Sequence, residues 1–380
     1  MNYLSIILLS LGMCLQSLSA QSPQKVVRIT RELHEVSWYQ EQAKAWQKEL
    51  AARPINAAGW HSYYEANRAL RNLTGEPMED LAQIVSKMKQ HVPESFEYSF
   101  LVFRNGGIMP EGQPDNFAFL EKAHQIDPSR TEVLEDFVTH YELAGDFVKR
   151  KNFNIKRFHA NDIPYEILSY NYNVLMSLSP NAVIFTNGDN DTYPLWLLQD
   201  AMDVRTDVMV INCSLSFENA YLNRLLKHND IAEFNKKIDT KEAFESYHSE
   251  LRAHLLNQSN RPVYYALTVN PQTYEEIREK LYVVGLASQY SEKRFDNSRV
   301  LAENFEEKFR MEYLRLNLSH YGPSSVEADF AQAYLMPLLS LHRYYREEAE
   351  MDKAASLKTL IVQIASKTGR EEEIAEHLNE

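Results

Sequence analysis

Glycine is scarce, at 11 in 380 residues, well under the roughly 7% of average usage. None of these glycines forms G-x-G-x-x-G, G-x-x-x-x-G-K-[ST] or G-x-S-x-G, which argues against a dinucleotide fold, a Walker ATPase and a hydrolase with a nucleophile elbow. There is no H-E-x-x-H, and two cysteines cannot build a cysteine-rich zinc site or a disulfide framework. Positive charge is in deficit. With 40 Lys+Arg against 53 Asp+Glu the net charge is −13, the wrong sign for a nucleic-acid or anionic-membrane binder. Beyond Ala20 no apolar run is long enough to span a bilayer as a helix. What is present is ordinary for a folded chain of more than one compact unit: 44% hydrophobic and 24% charged residues.

The apolar run from Leu4 to Leu15 leads to Leu18-Ser19-Ala20 and then to polar Gln21-Ser22-Pro23. It reads as a secretory signal cut after Ala20, although no Lys or Arg precedes it. Cys14 raises lipoprotein processing as a rival, and the bulky Met13 before it disfavours that route. Cleavage after Ala20 leaves Cys213 as the single cysteine, so the exported chain forms no internal disulfide.

Residues 21–150 have helical periodicity. Glu41 to Ala52, Ala57 to Leu73, Met78 to His91, Phe117 to Ile126 and Thr131 to Leu143 carry apolar residues three and four apart, separated by Pro, Gly and Asn. Pro54 is followed by Trp60 and Tyr63, and Pro128 by Leu134, Phe137 and Tyr141, with Ala123 just ahead of Pro128. This register resembles tetratricopeptide repeats, whose period is about 34. An irregular helical bundle is the plainer alternative. Pro54 and Pro128 lie more than two such periods apart, which places an insertion around Gly106, Gly107 and Gly112.

Near residue 150 the texture changes. Lys149-Arg150-Lys151 and Lys156-Arg157 read as a solvated basic turn between units. Asp162 is expected to cap a helix from Tyr165 to Leu178 with Pro164 in its first turn. Ala182 to Thr186 and Val208 to Cys213 are apolar runs of strand length, and between them Pro194 is expected to open a helix with Leu195, Trp196, Leu198 and Met202. Strand, helix and strand make a βαβ unit with parallel strands, whose following loops share one edge of the sheet. Open α/β sheets bind ligands at that edge. Val263 to Val269 adds a further strand, and Gly285 in the run Leu281 to Leu286 marks a close backbone approach or a turn. A sheet of three or four strands is expected.

The shared edge would carry Asn187-Gly188-Asp189-Asn190-Asp191-Thr192 from the first strand and Ser214, Ser216, Glu218 and Asn219 from the second. In an extended stretch Asp189 and Asp191 point the same way, roughly 6 to 7 Å apart, a spacing that suits one divalent cation, Ca²⁺, Mg²⁺ or Mn²⁺. No cofactor is required by the sequence itself. The competing reading is structural: Asn-Gly turns the chain, Asp191 or Thr192 caps the next helix, and Pro194 starts it. The candidate ligand-binding residues are therefore Asn187, Gly188, Asp189, Asn190, Asp191, Thr192, Trp196 and Ser214, with Asp189 and Asp191 as candidate metal ligands. Catalytic residues are not identified. Tyr193, Trp196, Tyr264, Tyr265 and Tyr274 could stack on a sugar or peptide, but core packing is the commoner use of such rings.

Phe185 to Trp196, Arg205-Thr206-Asp207-Val208 and Asn212-Cys213-Ser214-Leu215, followed by Arg261-Pro262-Val263-Tyr264-Tyr265 and Gly285-Leu286-Ala287, carry a family resemblance. Over roughly residues 160–365 the chain resembles the soluble C-terminal region of multi-spanning Bacteroidota membrane proteins classed as protein O-mannosyltransferase-like glycosyltransferases. The resemblance implies a periplasmic or cell-envelope location and an α/β unit followed by a repeat-like helical hairpin. It does not imply glycosyl transfer, because in that family catalysis belongs to the membrane-embedded part.

The expected fold class is α/β plus all-α, a small, mostly parallel sheet flanked by tetratricopeptide-like hairpins. The expected divisions are a signal at 1–20, a helical domain at 21–150, an α/β domain at 151–290 and a helical hairpin region at 291–380. Glu371 to Glu380 reads as a solvated, fraying end. The leading functional expectation is an exported envelope binding or scaffold module, with helices for a protein partner and the α/β edge for a ligand, possible carbohydrate included, or for a membrane-protein partner. The alternative is a metal-dependent glycosyl- or phosphoryl-group enzyme using Asp189 and Asp191. No nucleic-acid partner is expected.

Overall fold

The computed structural model describes residues 23–107, 116–318, 322 and 325–379. The expected signal, with Cys14 and Ala20, lies outside the described residues, as does Gly112.

Seven helices open the described chain: α1 (Val36–Ala52), α2 (Ala57–Thr74), α3 (Leu81–His91), α4 (Phe96–Gly106), α5 (Phe117–Ile126), α6 (Leu134–Ala144) and α7 (Phe147–His159). Their starts are set by side chains. Asn56 accepts the Gly59 N–H at 2.9 Å, Asp80 accepts from Ala82 and Gln83, and Ser95 accepts from Tyr98. Gly75, at φ 80°, ends α2 in the left-handed conformation that glycine adopts without strain. The expected register residues turn inward: Trp60 and Tyr63 pack with Ile84 and Met88, while Leu134, Phe137 and Tyr141 pack with Ala123.

Helix α4 was not among the expected segments, and its burial explains why. Phe96, Phe100 and Phe103 fill one apolar cluster while Tyr98 and Leu101 fill the other. A helix buried on both sides shows no polar stripe.

The expected basic turn near residue 150 is instead helix α7. Arg157 is 1% exposed and pairs with Asp162 at 2.7 Å and Glu135 at 3.1 Å. Arg150 pairs with Glu142 at 2.5 Å and Asp200 at 2.8 Å. These guanidiniums hold α7 against α6 and the following unit, so the two arginines of the run form an internal clamp while Lys149, Lys151 and Lys156 stay exposed. Asp162 is consumed by Arg157 and Arg31 and does not cap the next helix, α8 (Tyr165–Met176), whose N-cap is Pro164.

The α/β unit continues with β1 (Val183–Thr186), α9 (Asp189–Met202), β2 (Met209–Asn212), α10 (Asn219–His228), α11 (Lys241–Glu245), α12 (Tyr247–Gln258), β3 (Val263–Ala266), β4 (Leu281–Val283) and β5 (Ala287–Tyr290). The sheet has five strands in the order β2-β1-β3-β5-β4. The first three are parallel, with Val183 opposite Met209 on one side and Val263 on the other. β5 runs antiparallel to both β3 and β4. The sheet is thus mixed, and larger than the three or four strands expected. β1, β2 and β3 are buried throughout, as parallel strands covered on both faces must be. β5, Ala287-Ser288-Gln289-Tyr290, is too polar to announce itself. Gly285 is a close approach: a Cβ there would stand 2.2 Å from Ser177 Oγ and 2.9 Å from Phe309 Cζ.

Helices Leu335–Glu347 and Met351–Thr368 pack together, and Gly369 at φ 68° ends the second. The expected fraying end is a helix, Glu371–Asn379, with Ile374 and Leu378 buried against the main core. Its acidic face hid two apolar residues four apart. Among the described residues no helix is long and apolar enough to cross a membrane.

Candidate functional site

β1 and β2 are parallel, so the residues after Thr186 and Asn212 share one end of the sheet. The segment expected to be an extended loop is not extended: Asp189, Asn190, Asp191 and Thr192 form the first turn of α9. Pro194 accordingly sits inside the helix. Its missing N–H leaves the Asn190 carbonyl without the usual i→i−4 donor, and Asn171 Nδ2 donates there at 2.9 Å.

The helical geometry corrects the expected paired-carboxylate site. Residues two apart on a helix point to nearly opposite sides. Asp191 turns into the sheet end, where it accepts from Gly188 N–H at 2.6 Å, Asn187 N–H at 2.8 Å and the Thr268 hydroxyl. Burial pushes its carboxyl up, and those three donors pull against that rise. It is a cap that also ties α9 to the segment after β3. Thr192 Oγ1 lies 2.6 Å from Thr186 Oγ1 and accepts from Asn212 Nδ2 at 2.9 Å, while Asn212 Oδ1 accepts the Leu215 N–H at 2.9 Å. The rim closes on itself. Among the described residues no group of three or more His, Cys, Asp or Glu is placed to hold a metal ion.

The other sequence candidates separate. Asn187 and Ser214 are exposed and Gly188 is half-buried at the N-cap of α9. Asn190 Nδ2 donates to the Thr30 carbonyl at 2.9 Å, tying α9 to the segment before α1. Trp196 is 1% exposed, stacked on Tyr193 with the Arg150 guanidinium 5.8 Å over its ring. Its ring is core and has no face open to a ligand. Cys213 is buried, and burial pushes its thiol up to about 12, so it is not a thiolate nucleophile at neutral pH. His248 Nε2 stands 3.1 Å from the Cys213 carbonyl and 3.2 Å from Ser216 Oγ, and burial depresses its pKa against the pull of that carbonyl.

Asp189 points elsewhere. It lines a cavity of about 220 Å³ with Arg28, Thr30, Glu65, Arg68, Asn72 and Arg104, between the segment before α1, helices α2 and α4, and the start of α9. The Asp189 carboxylate has no hydrogen bond or ion pair with another described residue. Burial, then the nearby Glu135, Asp136 and Asp191, push its carboxyl up to about 6 against the pull of Arg28. Arg28 itself is held by Glu135 at 2.8 Å and Asp136 at 2.5 Å. A second set of charges is not closed. Arg104, with 5% of its side chain exposed, faces Glu65, 3% exposed, at 3.8 Å. Neither Arg104 Nη1 nor Glu65 Oε1 has a hydrogen-bond partner.

The four helical-unit residues Arg28, Glu65, Arg68 and Arg104 went unmarked in the sequence. They are ordinary charges, Arg28 in the segment before α1 and the others on α2 and α4, and nothing in their spacing relates them to Asp189. A larger cavity, about 680 Å³, lies apart among the C-terminal helices, lined by Phe305, Arg315, Tyr345, Leu360 and others. Its polar groups are mostly paired already: Glu306 accepts from Tyr345 at 2.6 Å and Lys353 at 2.9 Å, and Gln363 donates to the Leu314 carbonyl at 2.5 Å. The smaller one is where Arg104 Nη1 and Glu65 Oε1 lack hydrogen-bond partners.

A family model described as TMEM260-associated domain 2 matches residues 167–257. The match begins in α8, ends in α12 and takes in β1, the rim, α9, β2 and α10. No curated protein matches the chain.

Proposed function

We propose that the protein is an exported cell-envelope binding module, accessory to envelope glycosylation or surface assembly and not itself a glycosyl-transfer enzyme. Its tetratricopeptide-like hairpins hold a protein partner, and the junction between them and the α/β unit holds a ligand. The match to TMEM260-associated domain 2 supports a glycosylation-related setting, and the signal-like run before Ala20 supports export.

The observation that carries the non-catalytic reading is the closure of the rim. Asp191 is saturated by three donors and diverges from Asp189, so the two carboxylates that a metal-dependent transferase would need do not converge on one ion. Two experiments test the proposal. Tagged protein should fractionate with the cell envelope, and its deletion should alter lectin staining of envelope glycoproteins. Purified protein supplied with Mn²⁺ and activated sugar donors should show no turnover. Turnover abolished by Asp189→Asn, or retention of the tagged protein in the cytoplasm, would overturn it.

A further inference from the structure

We propose that the cavity between α2, α4 and the start of α9 binds one monosaccharide-sized, uncharged polyol, with Arg104 and Glu65 bridging a single ligand hydroxyl. The proposal names the ligand class for the junction just described, and rests on the binding-module reading only for its biological setting.

Three observations lead there. Arg104 Nη1 and Glu65 Oε1 are an open donor and an open acceptor, both on side chains at least nine-tenths buried, and 3.8 Å apart. That separation is too long for a hydrogen bond, but an oxygen about 2.8 Å from each can serve both. A hydroxyl does so, donating to the carboxylate and accepting from the guanidinium. A carboxylate cannot, because it offers Glu65 no proton, and a phosphate, although it keeps a proton at neutral pH, adds like charge beside Glu65.

The second observation is charge balance. With Arg28 engaged by Glu135 and Asp136, the cavity presents Arg68 and Arg104 against Glu65 and Asp189. Two positive and two negative groups favour a neutral guest, and a buried net charge would be costly. Asn72 and the unpartnered Asp189 supply further donor and acceptor positions around the same space.

The third is size and rigidity. About 220 Å³ is several times the roughly 30 Å³ share of one water and below the roughly 300 Å³ of drug-sized pockets. One sugar ring fits and a disaccharide does not. Arg104 and Arg28 both lie over the ring of Phe100, at 5.7 and 5.6 Å, which fixes the guanidiniums before a guest arrives.

The test is isothermal titration of the full chain with the methyl glycosides of glucose, galactose and mannose, with myo-inositol, and with inorganic phosphate. At least one polyol should bind with Kd on the order of 1 mM or tighter. Glu65→Gln and Arg104→Met should each weaken it about tenfold or more, as loss of a hydrogen bond to a charged group does. Should either variant fail to fold, Arg68→Ala and Asn72→Ala, at more exposed positions of α2, should weaken binding with circular dichroism unchanged. Binding by none of the polyols, binding unaffected by variants that fold, or tighter binding of phosphate than of any polyol would each overturn the proposal. Because the readout is binding to purified protein, its failure leaves envelope location and lectin staining untouched, and their failure leaves it untouched.

Discussion

At the carboxyl ends of the parallel strands Asp191 meets two backbone N–H groups and the Thr268 hydroxyl, and Thr192 joins Thr186 to Asn212. Beside that rim, Asp189 meets no donor, and Arg104 and Glu65 stop 3.8 Å short of each other. The two regions meet at the start of α9, where Asp189 and Asp191 stand two residues apart and point to nearly opposite sides. In the rim every buried polar group has been answered by another part of the chain, which is how a fold is stabilised. In the cavity Arg104 Nη1 and Glu65 Oε1 are buried without a hydrogen-bond partner, which is costly unless something else answers them. A polar-rich motif therefore does not by itself mark a site; the unspent hydrogen-bonding capacity does.

The sharpest way to break the comparison is at the junction that joins the two regions. Arg28→Met leaves Asp136 buried without its guanidinium and Glu135 with only Arg157 and Arg31, and urea denaturation should show a loss of about 3 to 5 kcal/mol. Next in size is the rim. Asp191→Ala removes the acceptor of three donors and should cost about 2 to 3 kcal/mol in the same measurement. If Asp191 costs no more than a surface residue, the rim is not the closed network described.

The cavity should behave in the opposite direction. Asp189→Asn removes a carboxylate held near 6 and should raise stability at pH 7 by about 1 kcal/mol, discounted for its partial exposure. The sign follows from linkage. A carboxyl whose folded pKa lies above its ordinary 3.8 favours the folded state when protonated, so its contribution is full below about 4 and is lost as pH rises through about 6. Asp136, pushed up to about 6 chiefly by burial, contributes in the same direction. Stability curves at pH 7 and pH 5 should therefore differ less for Asp189→Asn than for the parent, and an unchanged difference would place the titration elsewhere. The smallest effect belongs to Ser214→Ala. Its side chain is exposed at the rim, and the midpoint should move by no more than about 0.5 kcal/mol.

How much of this was legible beforehand varies with the kind of signal. Apolar runs bounded by turn residues revealed β1, β2 and β3, and the parallel arrangement followed from the intervening helix. The missing pieces lacked that signal: β5 is polar, α4 is apolar on both sides, and the last helix carries two buried residues under an acidic face. Asp191 as a cap was one of the two readings open for the loop. The extended geometry of Asp189 and Asp191 was not recoverable as wrong, because Pro194 looked like a helix start. The helix begins a turn earlier, with Asn171 donating to the Asn190 carbonyl that Pro194 leaves open and Asp191 accepting from Gly188 and Asn187.

By itself the sequence determined the mix of an α/β unit with helices and the end of the sheet where polar residues gather, because both depend on local periodicity and on the fixed handedness of a crossover. Tertiary structure alone decided which aspartate is spent and which is open, and it brought Arg104 and Glu65 from two helices to the side of Asp189. Unsatisfied hydrogen-bonding capacity is a property of three-dimensional surroundings, and no spacing along the chain encodes it.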